Sequence, residues 1–182
     1  MADLTTLSAV KAWLKLTATT DDALLSGLVS SVSAWIQDYL NRTIASTSYS
    51  ETYHGTGSDR IMLANYPVTA VASVTVNGQT VQPSTGYGVV GYAFDAGSIA
   101  YIGGCFPEGF ANVSVSYTAG YAAVPADLAQ ACVELVAFRY RERDRIGQTG
   151  TGMGPEHTSY SMADMPAAVK TVLDQYRKVV PT

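Results

Sequence analysis

Charge is scarce in this sequence, and histidine and cysteine are scarcer. Only 14% of the 182 residues are charged, 11 Lys and Arg against 15 Asp and Glu. A nucleic-acid grip needs clustered cations in excess to neutralise phosphates, so a net charge of −4 argues against one. An acidic protein partner is disfavoured on the same ground. Cys105 and Cys132 are too few and too far apart in sequence for a disulfide framework or a metal cage, and read as two reduced thiols. His54 and His157, the two histidines, have no Cys or carboxylate at ligand spacing, and the nucleophile-elbow pattern Gly-x-Ser-x-Gly is missing. No apolar run approaches the ~20 residues that cross a bilayer, and no basic segment leads into an apolar one at the start. The expectation is a chain without a leader or membrane span, made and assembled in a cytoplasm.

Glycine is present, but without the context that gives it chemistry. Gly147, Gly150, Gly152 and Gly154 follow no strand and precede no Gly-Lys-Ser or Gly-Lys-Thr, so they read as a linker and not a phosphate loop. Gly55-Thr56-Gly57 reads as a turn. Asp21 and Asp22 are adjacent on a helix start, where the dipole favours them without any reaction. No catalytic, cofactor or metal site is expected, and the chain reads as a structural subunit and not an enzyme.

What the sequence does contain is an ordered change of periodicity. Behind Thr5 and Thr6, Leu7, Val10, Trp13 and Leu14 fall at helical spacing. Thr20, Asp21 and Asp22 supply capping groups for a second helix, in which Leu25, Leu28, Val29, Val32, Ile36, Tyr39 and Leu40 form one face and Asn41 with Arg42 the end. From Thr43 to Gly120 the pattern turns to alternating β-branched and aromatic residues. Val71 to Val76 lead into Asn77-Gly78, a pair suited to a tight hairpin because both positions tolerate positive φ. Val113, Val115 and Tyr117 alternate with polar residues, as a strand with one buried face does. Eight of the twelve tyrosines lie between Tyr49 and Tyr121, where Arg60 is the sole Lys or Arg.

Pro125 is placed to open a third helix, whose apolar face is Leu128, Cys132, Leu135, Val136 and Phe138. Its end carries Arg139, Arg141, Arg143 and Arg145, in two rows of i,i+4 neighbours interleaved with Glu142 and Asp144. These cations complement the helix dipole, or make bidentate contacts to a neighbouring subunit's carboxylates; a grip on DNA ranks third because the local charge balances. Residues 147–163 read as a flexible linker, and 164–182 as a last helix with Val169, Val172, Leu173 and Tyr176 on its sticky face, followed by a tail. The fold class is therefore α+β: a small bundle of about four helices, 1–42 with 121–146, an antiparallel β subdomain inserted at 43–120, and a C-terminal arm.

Several of these segments, taken in order, resemble the head-tail connector (adaptor) family of long-tailed bacteriophages. They are Leu7 to Leu16, Asp21-Asp22 with the helix through Trp35, Ile36 and Arg42, and Asn65-Tyr-Pro-Val68 ahead of a hairpin. Val113 to Tyr121, Val124 to Leu128, Phe138 to Gly147 and the closing Tyr176-Arg177-Lys178 complete the set. The resemblance implies a ring, commonly of twelve subunits, beneath the portal protein at the head-tail interface of a virion. The ring would extend the channel for genomic DNA and offer a platform to a tail-completion or stopper protein. Twelve copies would carry a charge of roughly −48, which repels DNA and lets it pass. Arg139, Arg141, Arg143, Arg145, Tyr176, Arg177 and Lys178 become candidate subunit or portal contacts. The alternative is a non-enzymatic binding module whose tyrosine-rich β insert recognises a saccharide or host protein, with Tyr87, Tyr92 and Tyr101 on an exposed face.

Overall fold

In the computed structural model of the chain, residues 2–86, 88–143, 150–153, 156–159 and 165–178 are described. The helices among them are α1 (Leu7–Leu14), α2 (Asp22–Leu40), α3 (Ala126–Glu142) and α4 (Ala167–Tyr176). The chain divides into two compact units, one of Met1–Arg42 with Val124–Thr182 and one of Thr43–Ala123. The fold class is α+β, with helices and antiparallel sheets segregated along the chain.

In the helical unit, Thr6 caps α1 by accepting from the Ala9 N–H at 3.3 Å. Asn41 ends α2 in the left-handed region (φ 53°), its N–H bonding Asp38 and that of Arg42 reaching Gln37. Val32, Ile36, Leu40, Leu128, Leu135, Val136 and Leu173 are fully buried, so α4 completes the same core as α2 and α3. Three expectations shift. Thr20 does not cap α2; Asp21 stands at the cap without a capping side-chain bond and accepts instead from the Tyr140 hydroxyl of α3. Asp22 pairs with Lys11 of α1 at 2.6 Å. Trp13, expected on the apolar face of α1, is 50% exposed, while Leu4 ahead of the helix is buried, its N–H donating to Ser33 Oγ at 3.0 Å.

The β unit holds β1 (Thr47–Gly55), β2 (Arg60–Met62), β3 (Val68–Val76), β4 (Gln79–Val81), β5 (Gly91–Phe94), β6 (Ser98–Ile102) and β7 (Gly109–Ala119). One sheet has the order β1-β7-β3-β4 and a second the order β2-β6-β5, all neighbours antiparallel. Asn77 (φ 50°) and Gly78 (φ 78°) make the expected two-residue turn between β3 and β4. Val113, Val115 and Tyr117 point into a core shared by both sheets, with Val74, Ile61, Tyr92, Ile99 and Phe106. Within the segment read as a linker, β8 (Gly150–Met153) and β9 (Glu156–Ser159) pair as a hairpin. Cys105 is exposed and Cys132 buried, and both are free thiols.

The strands that open and close the β unit are neighbours, β1 pairing with β7 from Thr47↔Ala119 to Gly55↔Gly109. Beyond the ladder, the Tyr121 N–H donates to the Ile44 carbonyl (2.8 Å) and the Ser46 N–H to the Tyr121 carbonyl (3.0 Å). The close approach requires Gly120: its φ is +112°, and a Cβ there would lie 2.6 Å from the Ala45 carbonyl oxygen. Gly120→Ala should therefore lower stability by more than ~1 kcal/mol in urea denaturation. Gly86→Ala, where a Cβ meets nothing within 4 Å, should stay close to the unmodified chain.

Candidate assembly surface

Trp35 and Tyr39 stand one turn apart on α2, which brings their rings together on one side of the helix. The rings stack at 5.6 Å with 17° between their planes. Arg139 of α3 lies over the Trp35 ring at 5.1 Å, and Arg177, just past α4, over the Tyr39 ring at 5.2 Å. Three helices thus contribute to an Arg-Trp-Tyr-Arg shelf that is partly open to solvent. Such cation–π contacts contribute about 0.5–1 kcal/mol each at exposed positions. A guanidinium stacked flat on a ring keeps its N–H edges for in-plane acceptors. Among the described residues, neither Arg139 nor Arg177 donates a hydrogen bond to such an acceptor.

Hydrogen bonds around the shelf fix α4 against its neighbours. The Tyr39 hydroxyl donates to Asp174, which also pairs with Lys170 at 2.6 Å. Tyr176 donates to both carboxylate oxygens of Asp127 at 2.8 and 2.7 Å, in the first turn of α3 where the dipole favours that charge. The Lys178 backbone N–H donates to the Leu40 carbonyl at 2.9 Å. Arg139 and Arg177, both candidates from the sequence, are therefore brought onto one shelf, with Tyr176 and Lys178 bonded within the same unit.

The remaining arginines do not act as a set. Arg143 lies 4.0 Å over the Tyr140 ring and donates to that residue's carbonyl at 2.8 Å. Arg141 is exposed, and Arg145 lies outside the described residues. Periodicity does not mark Trp35 and Tyr39 as surface groups, and it puts Tyr39 on the apolar face of α2. Two aromatics at i,i+4 flanked by a distant arginine run were the available signal.

The β unit offers no exposed cluster from Tyr92 and Tyr101. Tyr92 is 7% exposed and Tyr101 packs on the core beside Phe106; Tyr87 lies outside the described residues. Tyr53 and Tyr117 turn inward, both donating to Glu51, which also accepts from Asn65 Nδ2 at 3.0 Å. Burial, with these bonds, pushes the Tyr53 phenol well above its ordinary range. His54 accepts the Ala111 N–H at 2.8 Å and packs against the Phe110 ring in a tilted arrangement, so its ring is engaged locally. Among the described residues, no three of His, Cys, Asp and Glu gather as metal ligands would.

The β unit thus interrupts the helical unit in sequence, and the aromatic and arginine stacks lie on the helical unit. The head completion protein family model matches residues 3–179, and the chain belongs to that family. Solved structures from GTA particles share the fold. A chain from the neck of an empty GTA particle, computed with C6 symmetry, aligns at 21% identity and TM-score 0.59, covering 98% of this chain and 92% of that one. A chain from the virion of a native gene transfer agent (GTA) particle aligns at 20% and 0.62 with the same coverage. One from the neck of a native GTA particle, computed with C12 symmetry, aligns at 20% and 0.57, over 100% and 96%. No curated protein matches.

Asp174 is the carboxylate on which the α2–α4 contact turns. Its bonds from Lys170 and then Tyr39 hold its pKa below the ordinary 3.8. A carboxylate depressed on folding stabilises above its unfolded value, and that contribution is lost as pH falls through the folded one. Asp174→Asn should therefore lower the urea midpoint at neutral pH, and the gap from the unmodified chain should narrow as the pH is taken below the ordinary carboxylate value.

Proposed function

We propose that this chain forms a ring beneath the portal protein, extending the DNA channel and giving the tail its platform. The observation that carries this reading is the family match, which spans residues 3–179 and so takes in both units. The sixfold and twelvefold symmetry of the GTA necks that hold chains of this fold supports a ring, with twelve copies as the expected number. Its partners would be further copies of itself, the portal, and a tail-completion or stopper protein. DNA would pass without specific binding, since the net charge of −4 per chain repels phosphates around the lumen. Assembly would take place in the bacterial host's cytoplasm, with the finished ring at the virion head-tail interface.

The C-terminal candidates fit this role as the end of α4 and the part of the chain that follows it. Val169 and Leu173 are buried in the helical unit, and Tyr176, Arg177 and Lys178 lie at the end of α4 and just past it. Burying each such side chain contributes about 1.5–3 kcal/mol, and a chain cut before α4 would lose core along with contacts.

Electron microscopy of the chain mixed with its cognate portal tests the proposal directly. Portal rings should gain a second stacked ring of the same rotational order. Bare portals at saturating protein, with the chain still monomeric, would refute the connector role.

A further inference from the structure

We propose that the Arg139/Arg177 shelf is one half of the contact between copies, and that its occupant is the Asp59/Glu108 edge of a second copy's β unit. This rests on the ring reading above and names the residues that would join its subunits. The β unit has four carboxylates and a single cation. Arg60, that cation, is engaged by Asp95 at 2.8 Å. Asp95 is further held by the Gly97 and Ser98 N–H groups, which with the Ser98 hydroxyl keep it ionised. Glu51 is taken up by Tyr53, Tyr117 and Asn65.

Asp59 and Glu108 are what remains. Both are exposed, and neither has an ion pair among the described residues. The backbone sets their segments side by side: the Phe106 N–H donates to the Ser58 carbonyl (2.8 Å) and the Gly57 N–H to the Phe106 carbonyl (2.9 Å). Two carboxylates without an ion pair among the described residues thus share one edge, while two guanidiniums on the helical unit lie over aromatic rings without a hydrogen bond among the described residues, Arg177 also sharing its charge with Asp174. Each patch supplies the charge that the other lacks.

The symmetry of a ring decides how two such patches are used. A ring repeats one heterologous contact, so every copy must present two different, mutually complementary patches. A two-fold contact through the shelf would instead set Arg139 and Arg177 against themselves. Stacking also pre-orients the guanidiniums, which favours bidentate capture of a carboxylate. Contacts of this kind at a partly exposed surface are screened over about 8 Å at physiological salt, so ring yield should fall as salt rises.

Charge reversal in separate copies tests the pairing. One full-length variant carries Arg139→Glu with Arg177→Glu, the other Asp59→Arg with Glu108→Arg, and rings formed with the portal are counted by electron microscopy and native mass spectrometry. Each variant alone opposes like charges and should lose ring yield roughly tenfold or more. An equimolar mixture should recover rings in which the two variants alternate, since every junction then joins opposite charges. Recovery in the mixture is specific to contacts between copies; a contact within one chain, or a shelf that binds DNA, would leave the mixture as defective as its parts. Full ring yield from either variant alone, or failure of the mixture when circular dichroism shows both variants folded, would overturn the pairing while leaving the connector role standing. If the reversals unfold the chain, Arg139→Gln with Arg177→Gln serves instead, and a salt dependence unchanged by it would overturn the proposal. Absence of rings from the unmodified chain would overturn the connector reading itself.

Discussion

Everything in this fold depends on closing the gap that opens between α2 and α3. The chain leaves the helices at Thr43 and returns at Ala123. It does so without opening the bundle because β1 and β7 pair along their length and the Ile44–Tyr121 bonds bring the outgoing and returning strands into contact. Closing so long an excursion costs entropy that grows only slowly with length, and the ladder supplies hydrogen bonds in return. Helices separated in sequence by a whole β unit can then bury Val32, Ile36, Leu128 and Leu135 in one core as if they were consecutive. A conformational requirement at a single residue, Gly120, guards the junction.

Much of this was legible from pattern, and what escaped shares a physical cause. Periodicity identifies which side of an element is apolar, so Val113, Val115 and Tyr117 read as a buried face and Val169 and Leu173 as the sticky face of the last helix. Asn77-Gly78 declared its turn through backbone energetics alone. Periodicity says nothing about what lies opposite, and so Trp13 was placed inward although nothing covers half of its surface. Tyr39 was assigned to the core although it lies beside Asp174 and Arg177 at the surface. Asp21 and Asp22 were read as local caps because their tertiary partners, Tyr140 and Lys11, cannot be paired with them from spacing. The three-stranded sheet was invisible as a separate layer: β2 has three residues and β5 four, too short for alternation to establish itself.

The candidate surface shows the same division between composition and placement. Arginines at alternate positions from 139 to 145 are candidate subunit contacts in the sequence, and the structure gives Arg139 and Arg143 different neighbours. Arg143 packs on Tyr140 at the end of its own helix, while Arg139 joins α2 and the end of α4 through aromatic stacking. That distribution depends on the packing of three helices and has no signature in the run itself. It also means that Arg177, at the chain's far end, is held by the same body that holds Trp35.

The two cysteines, set aside early as chemically idle, divide the chain in a useful way. Cys132 is fully buried against Ser33, and desolvation pushes its thiol up to about 11, so at neutral pH it is neither ionised nor reachable. Cys105 is exposed on the β unit. The natural sequence therefore carries a single addressable thiol, and a fluorophore or heavy-atom cluster attached there would mark the β unit alone. In a symmetric assembly such labels would form a circle whose radius reports directly how far from the central axis that unit is carried.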